Sequence, residues 1–375
     1  MFKVLVVFGT RPEAIKMSAV IKELQRHKDK IKTCVCVTAQ HRQMLDPFLK
    51  NFKIRADYDL NIMRKNQTLE YITSAVLTRV GKIIVKERPD YVLVQGDTTT
   101  SMAASLAAFY HKVKIGHIEA GLRTYDKSRP FPEEINRQWI DDISDLFFVH
   151  TKQAKDNLLK EGKSTQKIAI TGNTVVDAVL DVALMQSKFD DPALLRIISK
   201  YRKLILVTAH RRENLGKPLE QICLALKEIA IKYPQEIGIV YPVHLNPAVG
   251  QKVKEVLREL KNVHLMPPLD YFSFIHLMKN SYLILSDSGG IQEEAPSLNK
   301  PVLVLRDKTE RPEALKVGAT QLVGTNTKRI VDAVSLLIES PKAYNKMSKV
   351  RNPYGDGKAS QRIVSRLLKE HRPCP

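Results

Sequence analysis

Along this chain, short unbroken runs of Val, Ile and Leu end abruptly in a small or polar residue and give way to amphipathic stretches of helical period. In the first half the runs are Lys3 to Phe8, Thr33 to Ala39, Tyr91 to Gln95 and Lys114 to Ile118. In the second they are Leu204 to Ala209, Ile237 to Val243, Val263 to Met266, Tyr282 to Leu285 and Val302 to Leu305. A strand with one wet face would alternate apolar and polar residues, so continuous apolar runs separated by helices predict parallel strands covered on both faces. A chain of 375 residues exceeds what one core organises. The expected fold class is therefore α/β, with two Rossmann-like parallel-sheet domains facing a cleft. The seam is expected after Thr171, giving a first domain of residues 1–171, joined by a C-terminal helix over 358–375, and a second of residues 172–357. Ser187 to Pro192 breaks the strand-helix rhythm near that seam. Arg-Pro-Glu-Ala occurs at 11–14 and again at 311–314, too short a match to signal a duplication.

In open α/β sheets ligands bind beyond the carboxyl ends of the strands. The richest of these ends is Ser286-Asp287-Ser288-Gly289-Gly290, followed by the helix-like Ile291 to Ala295. Without Cβ atoms, Gly289 and Gly290 let backbone approach an anion, and helix-opening N–H groups favour negative charge. Ser288 and Glu294 flank that turn, Glu294 being placed to accept from a ribose. The same residues also suit a tight turn that binds nothing. Arg11, Lys16 and Arg311 are candidates for a clamp on a diphosphate. Asp97, Glu119, His210 and His244 stand at other strand ends, with Glu133 and Glu134 in the following Pro-rich stretch. Each has a plain alternative: Asp97 could cap a helix starting near Thr98, and the two glutamates could favour a helix dipole after Pro132. Converging carboxylates and a histidine suit proton chemistry on a sugar with a diphosphate leaving group.

The formal charge is +20, from 60 Lys and Arg against 40 Asp and Glu, which favours anionic partners in general. There is no basic block with interleaved aromatics, no zinc-finger spacing and no recognition-helix signature, so no nucleic-acid partner is expected. Cys34, Cys36, Cys223 and Cys374 form no metal-ligand pattern. Cys34 and Cys36 should face one side of a buried strand. No run approaches membrane-spanning length, and Arg11, Pro12 and Glu13 interrupt the first apolar run too early for a signal peptide. A cytoplasmic protein with no membrane partner is expected. No G-x-G-x-x-G turn is present, so no nicotinamide cofactor is expected either.

The segments Phe8 to Met17, Gln95 to Thr100, Gly116 to Arg123, Thr208 to Glu213 and Asp287 to Glu294 resemble, in order and spacing, those of the non-hydrolysing UDP-N-acetylglucosamine 2-epimerases. The resemblance runs from Phe2 to beyond Asp356. It implies a glycosyltransferase-B-like pair of domains, a homodimer, and interconversion of UDP-GlcNAc and UDP-ManNAc for bacterial surface polysaccharide. Elimination of UDP to 2-acetamidoglucal and re-addition would need no cofactor. By position, the resemblance assigns acid/base work to Asp97, Glu119 and Glu133, with His210 assisting at the diphosphate and the sugar faces left open. It assigns UDP contacts to Arg11, Lys16, Phe274, Ser288, Gly289, Gly290, Glu294 and Arg311. Gln40, Gln43, Glu134, Arg212 and His244 match a second, activating UDP-GlcNAc site of some members, although Asn66 replaces an arginine there. Leu269 replaces a polar residue that can lie near the uracil. The alternatives are a hydrolysing epimerase releasing UDP and free ManNAc, and a glycosyltransferase of the same fold.

Overall fold

The computed structural model describes residues 1–40, 42–185 and 191–371, without the side chains of residues 43 and 44. Of the expected break at residues 187–192, residues 187–190 lie outside the described residues, as does Cys374, while Asp191 caps the helix that Pro192 opens. The chain forms two compact units, Met1–Ala178 with the segment from Gly355 onward, and Val179–Tyr354.

The first unit runs β1 (Phe2–Phe8), α1 (Arg11–Arg26), β2 (Ile31–Val37), α2 (Arg42–Phe52), β3 (Tyr58–Asp59), α3 (Leu69–Glu87), β4 (Tyr91–Gln95), α4 (Thr99–Tyr110), β5 (Lys114–Ile118), α5 (Glu133–Ile143), β6 (Leu146–Val149), α6 (Lys152–Lys160), β7 (Ile168–Ile170) and α7 (Thr174–Leu184). The division between units falls inside α7. The second unit continues with α8 (Pro192–Lys200), β8 (Lys203–Thr208), α9 (Lys217–Lys232), β9 (Ile237–Pro242), α10 (Pro247–Leu257), β10 (Val263–Met266), α11 (Tyr271–Asn280), β11 (Leu283–Ser286), α12 (Gly289–Glu294), β12 (Val302–Val304), α13 (Pro312–Lys316), β13 (Thr320–Leu322), α14 (Thr327–Glu339) and α15 (Pro341–Ser348). Last comes α16 (Ala359–Glu370), part of the first unit.

Both sheets pair in parallel throughout, in the orders β3-β2-β1-β4-β5-β6-β7 and β10-β9-β8-β11-β12-β13. All nine apolar runs of the sequence are strands, and those at the sheet centres are buried along their length. Four further strands were not legible as runs: β3, β6, β7 and β13 are two to four residues long and lie at or next to a sheet edge. A strand with one neighbour needs little apolar length to hold its place. Cys34 and Cys36 are buried in the same core cluster.

Each sheet has one place where the strand order reverses, between β1 and β4 in the first and between β8 and β11 in the second. There the chain leaves neighbouring strands in opposite directions, which opens a crevice at their carboxyl ends. The C-terminal helix is pinned within its unit by Asp177. This buried carboxylate of α7 accepts from the N–H groups of Ala359 (3.2 Å) and Ser360 (2.8 Å) and from the Ser360 hydroxyl (2.6 Å). It supplies the N-terminal cap that Lys358 cannot. Among the described residues, no helix is long and apolar enough to cross a membrane.

Two glycines of the first unit separate backbone strain from crowding. Gly121 has φ +80°, and a Cβ there would lie 2.3 Å from the Ala154 carbonyl oxygen; Gly162 has φ +78° with nothing within 4 Å. Gly162→Ala should therefore cost only the left-handed penalty, about 1–2 kcal/mol, and Gly121→Ala about 2–4 kcal/mol. Urea titration followed by Trp139 fluorescence, the single tryptophan of the chain, reads the first unit selectively.

Candidate active site

At the reversal point of the first sheet, β1 ends in Gly9, which sits so close to Thr38 and Thr100 that a Cβ would lie 2.0 Å from the Thr38 hydroxyl. Next to it, Glu13 is 1% exposed and fully engaged. One carboxylate oxygen accepts from the N–H groups of Gly9 (3.0 Å) and Thr10 (2.7 Å), closing a capping box on α1; the other accepts from the hydroxyls of Thr98 (2.6 Å) and Ser101 (2.8 Å) at the start of α4. One carboxylate thus welds the turn after β1 to the turn after β4. It also fills the N-terminal anion seat of α1 from within the chain.

The turn after β4 carries Asp97. Gly96 is left-handed (φ +69°) and donates its N–H to the Ile118 carbonyl at 2.9 Å. Thr98, not Asp97, caps α4, its side chain accepting from Ser101 N–H. Asp97 is thereby released to pair with Arg137 Nη2 at 2.7 Å, while Asn136 donates to its carbonyl oxygen at 2.9 Å. Burial pushes the Asp97 carboxyl above its ordinary range; Arg137 opposes this and Glu119 adds to it.

Glu119 ends β5 in a left-handed conformation, φ +69°, uncommon for a side chain of this size and a marker of stored backbone strain. Its carboxylate accepts from Lys16 Nζ of α1 at 2.5 Å, from the Gln95 amide and from Asn173 at 3.4 Å. Gly96 lies alongside, a Cβ there being 3.8 Å from Glu119 Oε2. Glu133 opens α5 half-buried. Glu134 is fully buried and accepts from the N–H groups of Thr124 (3.0 Å) and Tyr125 (2.9 Å) and from Gln138 (2.8 Å). Burial opposes its charge, but those donors outweigh it and hold its carboxyl below the usual range.

The reversal point of the second sheet is built in the same way around Asp287, itself fully buried. Its Oδ2 accepts from the N–H groups of His210 (2.8 Å) and Arg211 (2.8 Å) and from Asn214 (3.0 Å); Oδ1 lies 3.5 Å from His210 Nδ1. The His210 ring stacks on His244 with centroids 5.4 Å apart and planes 8° from parallel. Burial pushes the His210 imidazole below its ordinary range, His244 and Arg211 act the same way, and Asp287 opposes them. Gly289 opens α12, and Arg211 Nη2 lies 3.6 Å from where a Cβ of Gly289 would be. Gly290 is exposed, with Ser288 and Glu294 half-buried beside it. Arg311 donates to the buried Glu293, so its guanidinium is in part spent within the unit. Phe274 is half-buried on α11.

Arg11 is half-buried at the start of α1. Of the residues matched to an activating site, Gln40 accepts from the Thr100 hydroxyl at 3.0 Å, while Arg212 and His244 are exposed. The Gln43 side chain lies outside the described residues. Sequence reasoning did not pick out Glu13, Arg137 or Gln95 as partners of the site. Glu13 carried a usable signal, the Thr-x-x-Glu spacing of a capping box from Thr10, whereas the others owe their place to contacts across the sheet. Among the described residues, no group of three His, Cys, Asp or Glu side chains is placed to hold a metal.

Two parallel-sheet α/β domains define the fold shared with a glycosyltransferase from Rickettsia africae, which matches with a TM-score of 0.63 at 16% identity over 98% of each chain. A family model described as UDP-N-acetylglucosamine 2-epimerase matches residues 22–368. The UDP-N-acetylglucosamine 2-epimerase of Neisseria meningitidis is 52% identical over 98% of this chain and 99% of its own length. That of Bacillus subtilis is 50% identical over 98% and 95%. The crystal structure of the Neisseria enzyme bound to UDP-GlcNAc aligns with a TM-score of 0.84 at 50% identity, covering 98% of this chain and all of that one. The chain belongs to the UDP-N-acetylglucosamine 2-epimerase family.

The raised Asp97 carboxyl has a consequence for stability. Net of its pair with Arg137, the ionised form opposes folding: this cost is absent below the unfolded carboxylate range, near pH ~4, and complete above the raised folded value. Asp97→Asn removes it, so the variant should melt above the parent at pH 8, and the gap should close as pH falls toward about 4. Melting curves across that range check the sign.

Proposed function

We propose that this protein interconverts UDP-GlcNAc and UDP-ManNAc without hydrolysing them. The reading is carried by one observation: the first unit holds two carboxylates at adjoining strand ends, each set against a basic side chain, Asp97 against Arg137 and Glu119 against Lys16. Burial pushes the Asp97 carboxyl up against the pull of Arg137, and Glu119 accepts from Lys16 and Gln95. Two carboxyl groups held in place side by side are what paired acid/base chemistry requires. The bound UDP-GlcNAc of the Neisseria relative supports the substrate.

In the proposed reaction one carboxylate takes the C2 proton while the C1–O bond breaks and UDP leaves, giving 2-acetamidoglucal. UDP oxygen then adds back to C1 as a proton reaches C2 on the other face. Glu119 is suited to begin as base and Asp97 as acid, with Glu133 as the further acid/base group. In the second unit, His210, Arg211 and the Ser288-Gly289-Gly290 turn stabilise the charge that develops on the departing diphosphate. Glu294 and Phe274 serve the nucleoside, and Arg11, Lys16 and Arg311 the phosphates. The product would supply ManNAc units for surface polysaccharide, from a cytoplasmic homodimer. The stack of His244 on His210 favours coupling of a second UDP-GlcNAc to the reaction.

Proton NMR of UDP-GlcNAc in D₂O with the purified protein and no added cofactor is expected to show UDP-ManNAc with deuterium entering at C2. Free N-acetylmannosamine with UDP would overturn the non-hydrolysing reading, and an unchanged spectrum the epimerase reading. Glu119→Gln and Asp97→Asn should each lower kcat by about 10²–10⁴-fold. Sigmoidal dependence on UDP-GlcNAc, made hyperbolic by His244→Ala, is expected if the second molecule activates; hyperbolic kinetics in the unaltered protein would remove that element.

A further inference from the structure

His117, the last residue but one of β5, is fully buried, and both of its ring nitrogens face acceptors. Nε2 lies 2.8 Å from the Gly96 carbonyl oxygen and Nδ1 lies 2.6 Å from Asp141 Oδ1. A carbonyl oxygen can only accept, so Nε2 carries a proton. Asp141, on α5, takes the Gly121 N–H at 3.1 Å and Arg123 Nη1 at 2.8 Å on its other oxygen. Burial opposes its charge, yet the attraction of His117 and Arg123 outweighs burial and holds the Asp141 carboxyl below its ordinary range. With the Arg123 guanidinium 2.8 Å from its other oxygen, Asp141 is read as the ionised partner, which only accepts, so Nδ1 carries a proton as well. A neutral imidazole has a single N–H.

We propose that His117 is kept doubly protonated, as a buried imidazolium, and is the positioning residue that fixes the turns carrying Asp97 and Glu119. The ring donates to the carbonyl of Gly96, immediately before Asp97, while its partner Asp141 accepts the N–H of Gly121, two residues after Glu119. Gly96 and Glu119 are both left-handed, and strained turns persist only where surrounding contacts over-determine them. The charges close locally. Arg123 also binds Glu161, through Nε at 2.7 Å and Nη2 at 2.5 Å, so two cations, His117 and Arg123, face two anions, Asp141 and Glu161. No substrate atom need touch His117 for its loss to displace two acid/base groups at once.

The test uses the full chain labelled with ¹⁵N-histidine, whose ring nitrogens report protonation directly. At pH 8 exposed histidines are neutral. One of the ten rings is expected to show two protonated nitrogens, and its signal should vanish in His117→Gln. Should that variant not fold, Asp141→Asn makes the same assignment: the new amide can donate to Nδ1, so the ring should become neutral with its Nε2 proton retained. Ten neutral rings at pH 8 in the unaltered protein would overturn the proposal. In the second arm, Asp141→Asn is expected to lower kcat about 10–100-fold with KM for UDP-GlcNAc within about threefold, the pattern of displaced reacting groups. An unchanged kcat would overturn the positioning role. Only this second arm rests on the epimerase reading, because the ring signals require no turnover, so the two can fail separately.

Discussion

A buried carboxylate stands at each point where a sheet reverses its strand order, and the local architecture hangs on it. Where neighbouring strands send the chain in opposite directions, their turns leave inward-pointing N–H and O–H groups that no ladder can satisfy. A carboxylate accepts several donors without offering one in return. Glu13 takes four such donors from the turns after β1 and β4. Asp287 takes three, tying the end of β8 to the turn after β11. With these crevices closed by a charged acceptor, the side chains carried on the same turns cannot drift apart.

The proposed reactive groups take their surroundings from those turns. Asp97 and Glu119 end adjacent strands, β4 and β5, and each meets a different cation, Arg137 of α5 for Asp97 and Lys16 of α1 for Glu119. In the proposed reaction these partners hold the two carboxyl groups in place before any substrate arrives. The left-handed backbone of Glu119 is the strained element of the arrangement. It is held by its N–H to the Phe148 carbonyl at 2.9 Å and by the side-chain donors around its carboxylate. The two units also differ in how they treat negative charge. The first uses Glu13 to occupy the opening of α1, whereas the second leaves Gly290 exposed beside Ser288, with Arg211 against the neighbouring Gly289.

Several residues were legible by type and position before their roles could be separated. Glu133 and Glu134 follow one another in sequence, but a helix turns successive residues by about 100°, so one is half-buried while the other is consumed by the backbone of Thr124 and Tyr125. Arg311, expected on the same anion as Arg11, also donates to Glu293, a partner eighteen positions away that no local pattern announces. Asp97 had the capping geometry of an aspartate before a helix, and Thr98 took that place. Edge strands such as β3 and β13 left no trace because two or three residues carry no periodicity.

What the sequence by itself determined is the class of the fold and the set of strand ends from which the site is drawn. Uninterrupted apolar runs can only be satisfied between two covering layers, and glycines at Gly9, Gly96 and Gly121 record places where a side chain cannot fit or the backbone must turn left-handed. Only the tertiary structure decided which strands became neighbours at the reversal points. Pairing β1 with β4, and β4 with β5, joins Lys16 to Glu119 across 103 residues, and β8 beside β11 joins His210 to Asp287 across 77. Charge separation, strain and protonation at the site depend on such contacts, which form through space between residues that share no local pattern along the chain.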